Sequence, residues 1–191
     1  MEYTPSLSIE KFLILFTGSA LLTEYEIKIL SKLVSINSTT GNSRGYIEIS
    51  KVIADELKGL GLKVTIHDGN QEANDGIPRP NIVATLDVGS DKTLGLLTHY
   101  DTVPPGSGWR WNPFEFRIFE KDGKKRGYGR GSSDDKGCIT AALGALKDLS
   151  RFEDLHWNII FMCVADEEIG GAYGAGFLAR NKIVDMDALL V

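Results

Sequence analysis

The sequence predicts an α/β fold, a mainly parallel sheet flanked by helices, and three observations lead there. Two helical hydrophobic patterns come first along the chain, and strand patterns alternating with helical ones follow. The runs Thr93 to Thr98 and Trp157 to Val164 are almost continuously apolar, which marks strands buried on both faces. Clusters of acidic or imidazole side chains stand directly after those runs, where open α/β sheets build ligand sites outside the carboxyl ends of their strands.

Taken in order, the chain opens with an apolar run from Phe12 to Leu22. It is too short to span a bilayer, and Glu2 and Glu10 flank it instead of a positive region, so it reads as a short helix or packing arm within an N-terminal extension, residues 1–22. The folded unit is expected over residues 23–191. Thr23-Glu24-Tyr25-Glu26 fits a capping box, and Ile27, Leu30, Leu33 and Val34 follow at helical spacing. Asn37 to Asn42 is a polar turn. A second helix is expected from about Tyr46, with Ile49, Val52, Ile53, Leu57 and Leu60 on its apolar face. Leu62, Val64 and Ile66 alternate with polar residues as in a half-buried strand, Asp68 to Pro80 reads as a loop, and Asn81 to Leu86 as the next strand. After the buried run that ends at His99, Phe114, Phe116 and Ile118 alternate ahead of a charged turn from Lys121 to Arg126. Gly137 to Leu149 has helical spacing, Trp157 to Val164 is the most strand-like run, Ala172 to Ala179 looks helical, and Asp187 to Val191 begins a further strand.

Composition narrows the class of function. With 191 residues and 42% hydrophobic content, the chain can bury one sizeable core, which favours a single domain. Its net charge of -5 arises from 26 acids against 21 bases, with no basic run to track a phosphate backbone, so nucleic acid is not an expected partner. No membrane association is expected either. Cys138 and Cys163 lack metal-type spacing and are read as reduced core residues of a cytoplasmic protein.

Three clusters carry the chemistry. His99 and Asp101 are two apart, so on an extended backbone their side chains share a face, and the carboxylate can fix the imidazole tautomer for a metal. Gly129 to Gly137 is a glycine-rich loop that delivers Asp134 and Asp135 at the start of a helix; taken alone, these two read as helix caps. Glu167 and Glu168 follow the last buried run and taken alone read as a solvated turn. Together, one imidazole and several carboxylates suit a divalent metal such as zinc. The glycines are only loosely like a dinucleotide fingerprint, and two acids beside a phosphate would repel it.

These segments, Thr98 to Pro104, Trp111 to Phe114, Gly129 to Gly137 and Asp166 to Gly171, resemble the co-catalytic zinc exopeptidases and amidohydrolases. That family includes acetylornithine deacetylase, succinyl-diaminopimelate desuccinylase, aminoacylase and glutamate carboxypeptidase. The resemblance implies metal-dependent hydrolysis of an amide bond in a small N-acylated amino acid or peptide. It implies two divalent ions, zinc first, with cobalt or manganese as alternatives. His99 would bind one ion, Asp134 would bridge both and Glu168 would bind the other, with Asp101 orienting His99 and Glu167 acting as general base. A cis bond between Asp134 and Asp135 is implied as well.

The family also supplies a further carboxylate beyond the second glutamate, a late histidine, and a lid domain that mediates homodimerisation. None of these has a counterpart in the chain, which is therefore expected to match the N-terminal portion of the catalytic domain. Alone it would hold two zinc ions poorly and be close to inactive. The competing expectation is a non-catalytic chain serving at most as an interaction module.

Overall fold

The structure, a computed structural model, describes residues 23–191, and the extension expected over residues 1–22 lies outside them. Helix α1 (Glu24–Ser35) begins where the capping box puts it. Thr23 Oγ1 accepts the Glu26 amide at 3.3 Å, and the Glu26 carboxylate accepts the Thr23 amide at 2.6 Å. Two amides that a helix start leaves free are thereby paired. Helix α2 (Ser43–Gly59) begins at Ser43 rather than near Tyr46, because the Asn42 side chain caps it through the Gly45 amide at 3.1 Å.

Strands β1 (Lys63–Asp68), β2 (Pro80–Leu86) and β3 (Thr93–His99) follow, with the short helix α3 (Asn70–Ala73) inside the stretch expected to be all loop. Strands β4 (Arg117–Lys121) and β5 (Lys124–Tyr128) form a separate hairpin. The hairpin differs from the expected strand over Phe114 to Ile118 and charged turn beyond it. Asp122 and Gly123, at φ 54° and 69°, supply the left-handed pair that a tight hairpin turn requires, so the charged residues after them pair back as a strand. Helix α4 (Lys136–Leu149), strand β6 (Asn158–Val164), helix α5 (Ala175–Arg180) and strand β7 (Ala188–Leu190) complete the chain.

The main sheet has the order β1-β2-β6-β3-β7. Strand β3 runs parallel to β6 and β7, while β2 is antiparallel to β1 and β6 and alone runs against the common direction. Alternation along β6 divides the interior. Ile159, Phe161 and Cys163 join the larger core with Leu33, Ile53 and Leu143, whereas Met162 and Val164 pack with Val83, Phe177 and Leu178. Each large apolar side chain fully buried there contributes about 1.5–3 kcal/mol. Among the described residues no helix is long and apolar enough to cross a membrane.

Candidate functional site

Parallel pairing sets His99, the last residue of β3, opposite Val164, the last of β6, so the segments leaving both strands emerge side by side. His99 is 8% exposed, with carboxylates around its ring. Its Nε2 lies 3.0 Å from Asp134 Oδ1 and 3.6 Å from Glu167 Oε2. On the other side, Nδ1 faces the Asp101 carbonyl at 3.2 Å and its Oδ1 at 3.4 Å. Two oxygens behind Nδ1 favour the proton there, which leaves Nε2 as the free nitrogen in the neutral ring.

Asp101 is fully buried, and each of its oxygens accepts an amide of the turn after β6. Oδ1 accepts from Glu167 at 3.1 Å and Oδ2 from Glu168 at 3.2 Å. The residue expected only to orient His99 thus also seats both glutamates. The polar turn expected over Asn37 to Asn42 lies alongside: Ser38 Oγ donates to the Tyr100 carbonyl at 2.7 Å, and the Thr102 amide donates to the Ser38 carbonyl at 3.1 Å.

The glycine loop brings in the remaining carboxylates. A side chain at Gly131, where φ is +77°, would put Cβ 2.8 Å from Thr102 Cγ2 and 3.1 Å from Lys136 Cδ, so only glycine fits. Beneath it Lys136 is fully buried, its Nζ donating to the Ile36 carbonyl at 2.8 Å, and burial pushes its ammonium down to about 7. The bond between Asp134 and Asp135 is cis, as the resemblance implies. Asp135 makes no side-chain cap bond to α4. Its Oδ2 instead accepts the His99 amide at 2.9 Å, so it is a brace for the end of β3 and not the simple helix cap its position suggests. Burial raises its carboxyl. Burial also opposes a charged His99 ring, yet Asp101, Asp135 and Asp134 together outweigh it and push the imidazole up to about 9.

A cleft of about 380 Å³ opens here, lined by His99, Asp134, Asp135, Cys138, Val164 and Glu167 among others. Cys138 is therefore not the core residue expected: the first turn of α4 faces the cleft, and its thiol is exposed, whereas Cys163 is buried; both are free. Partial desolvation in the cleft wall, with the neighbouring Asp135 carboxylate, pushes the Cys138 thiol up to about 12. Glu168 stands aside from the cleft lining, its Oε1 accepting the Val103 amide at 3.2 Å. His99, Asp134 and Glu167 are thus drawn together, and Glu168 is held one step away. Among the described residues no three of His, Cys, Asp and Glu enclose an ion. The donor chemistry nonetheless fits a borderline divalent cation, since one imidazole turns its Nε2 toward the Asp134 and Glu167 carboxylates. Arg79, Asn81 and Tyr46, which tie down the turn bearing the two glutamates, carry no signal in the sequence; Arg79 sits in a stretch that reads as loop.

Residues 95–190 match the model of the peptidase family M20/M25/M40. An uncharacterized metallohydrolase of Methanocaldococcus jannaschii is 37% identical over 183 residues, 89% of this chain and 44% of that protein. Cysteinylglycine-S-conjugate dipeptidase of Corynebacterium striatum is 31% identical over 169 residues, 85% of this chain and 35% of that protein. The crystal structure of human carnosine dipeptidase 1 superposes with a TM-score of 0.71 at 27% identity, covering 93% of this chain and 40% of that one. The chain spans less than half the length of each. A match over these residues, with the glycine loop and both strand-end clusters inside it, means that the chain belongs to the M20/M25/M40 peptidase family.

Proposed function

We propose that this chain carries metal ligands and the general base of a two-metal hydrolase acting on an amide bond in a small peptide or N-acylated amino acid. The observation that carries the reading is the approach of Asp134 Oδ1 and Glu167 Oε2 to His99 Nε2, at 3.0 and 3.6 Å, with Asp101 behind the ring. His99, Asp134 and Glu168 would hold the ions, for which zinc is the best match to an imidazole with carboxylates and cobalt or manganese is acceptable. Bound there, a divalent ion supplies Lewis-acid activation of the scissile carbonyl and of water.

The chain's own residues do the rest. Asp101 keeps the proton on Nδ1 of His99 and fixes the backbone from which Glu167 projects. Glu167, its side chain 57% exposed beside the cleft, takes the proton of the attacking water and returns it to the leaving amine. The cleft volume of about 380 Å³ suits a small substrate. The name of the Corynebacterium striatum relative, a dipeptidase, supports the same substrate class.

Hydrolysis of a panel of dipeptides and of N-acetyl and N-succinyl amino acids, with and without chelator, tests the proposal. Because the chain alone is expected to hold its ions poorly, the expected result is slow, chelator-sensitive release of free amine that falls further in Glu167→Gln with metal content unchanged. Turnover that survives chelation, or that ignores Glu167→Gln, overturns it. One observation favours the second reading, a non-catalytic chain: Glu168 is turned onto the Val103 amide. Loss of both turnover and metal uptake would select that reading.

A further inference from the structure

Asp166 opens the turn that carries Glu167 and Glu168, and by sequence it belongs to the same acidic cluster. The structure separates it from them. Asp166 is 1% exposed, lies in the left-handed region at φ 59°, and is absent from the cleft lining. Its Oδ1 accepts the Tyr46 hydroxyl at 2.8 Å, and its Oδ2 accepts Arg79 Nε. Both oxygens are turned into the body of the protein.

The two partners are themselves fixed. Arg79 is 4% exposed, and its guanidinium fork is filled: Nη1 and Nη2 each reach an Asp75 oxygen at 2.8 Å, and Nη1 also reaches the Ile77 carbonyl at 2.9 Å. The stretch between β1 and β2 is thus folded around one cation. Tyr46, fully buried on α2, accepts the Gly41 amide at 3.2 Å and packs edge-on against Tyr100, the residue between His99 and Asp101, with ring centroids 5.2 Å apart. Asn81 of β2 ties the segments on either side of the turn, accepting the Ala165 amide at 3.0 Å and donating to the Tyr173 carbonyl at 2.9 Å. Arg79 is the cation paired with the buried Asp166 carboxylate, and parting the two would leave that charge with one hydroxyl alone, so the arrangement favours one geometry.

We propose that Asp166, Arg79 and Tyr46 are positioning residues, a buried clasp that sets the height and direction at which Glu167 and Glu168 reach the cleft. The clasp grips the turn from beneath, while Asp101 holds the Glu167 and Glu168 amides from the His99 side. The importance of that geometry rests on the reading of the two glutamates as base and ligand; the clasp itself is tested separately.

Amide hydrogen exchange on the full chain compares the wild type with Asp166→Asn, Tyr46→Phe and a core control, Leu143→Val. In both clasp variants the amides of residues 167–171 should exchange about tenfold faster or more, while those of β3 and β6 keep their rates. The control should speed core amides and spare the turn. As a second readout, the visible absorption of added cobalt(II) should shift or weaken in the clasp variants and not in the control. Unchanged exchange over residues 167–171, or a rise only in step with the β6 amides, overturns the proposal. If Asp166→Asn does not fold, Tyr46→Phe, which removes one hydroxyl, decides alone. Failure of the wild type to take up cobalt would count against the metal reading, and the exchange pattern would still decide the clasp.

Discussion

Each oxygen of Asp101 accepts one amide of the same turn, and its backbone carbonyl faces His99 Nδ1, so a single buried residue couples the imidazole to both glutamates. Asp166 plays the opposite part, holding the turn through its own side chain from the far side. Their adjacency to titratable partners differs from that of Asp75, whose carboxyl is lowered to about 2, chiefly by hydrogen bonds from Arg79. A folded-state value below that of the unfolded chain means that Asp75 stabilises the fold above the ordinary carboxylate range, and that this contribution is lost as pH falls from about 4 toward 2. Chemical denaturation of Asp75→Asn across that window should therefore show a shallower dependence of stability on pH than the wild type, and an unchanged slope would contradict the pairing.

At the scale of elements, local rules were legible wherever one residue type serves one backbone requirement. The capping box at Thr23 places the start of α1, and Thr23→Ala should lower the urea unfolding free energy by about 1 kcal/mol, with the cleft unaltered. The apolar runs ending at His99 and Val164 gave β3 and β6 nearly to the residue, because strands buried on both faces leave no polar alternation to blur their limits. Strand β5 was not legible. Its residues from Lys124 to Tyr128 are mostly exposed and charged, and only the Asp122-Gly123 turn signals that they pair back. The site was partly legible for the same reason. Its carboxylates follow strands or start a helix, which places them in the chain, but side-chain direction depends on contacts distant in sequence. Nothing near Glu168 shows that it will turn to Val103, and nothing near Arg79 or Tyr46 shows that both will close on Asp166.

For the whole molecule, the strand order makes the cleft possible. Strands β3 and β6 are neighbours in space although α4 and the β4-β5 hairpin separate them in sequence, so the glycine loop ahead of α4 and the turn after β6 meet at one end of the sheet. The turn after β6 is tied to α2 through Tyr46, to β2 through Asn81 and to the segment after β3 through Asp101, and His99 stands where the carboxylates converge. The central claim is that this convergence binds a divalent metal, and the most direct measurement is a cobalt(II) titration of the chain followed by visible absorption, set against His99→Ala and Asp134→Asn. Saturable uptake that is lost in both variants, with their far-ultraviolet dichroism unchanged, is the expected result; no uptake at all, or uptake indifferent to both substitutions, would contradict it.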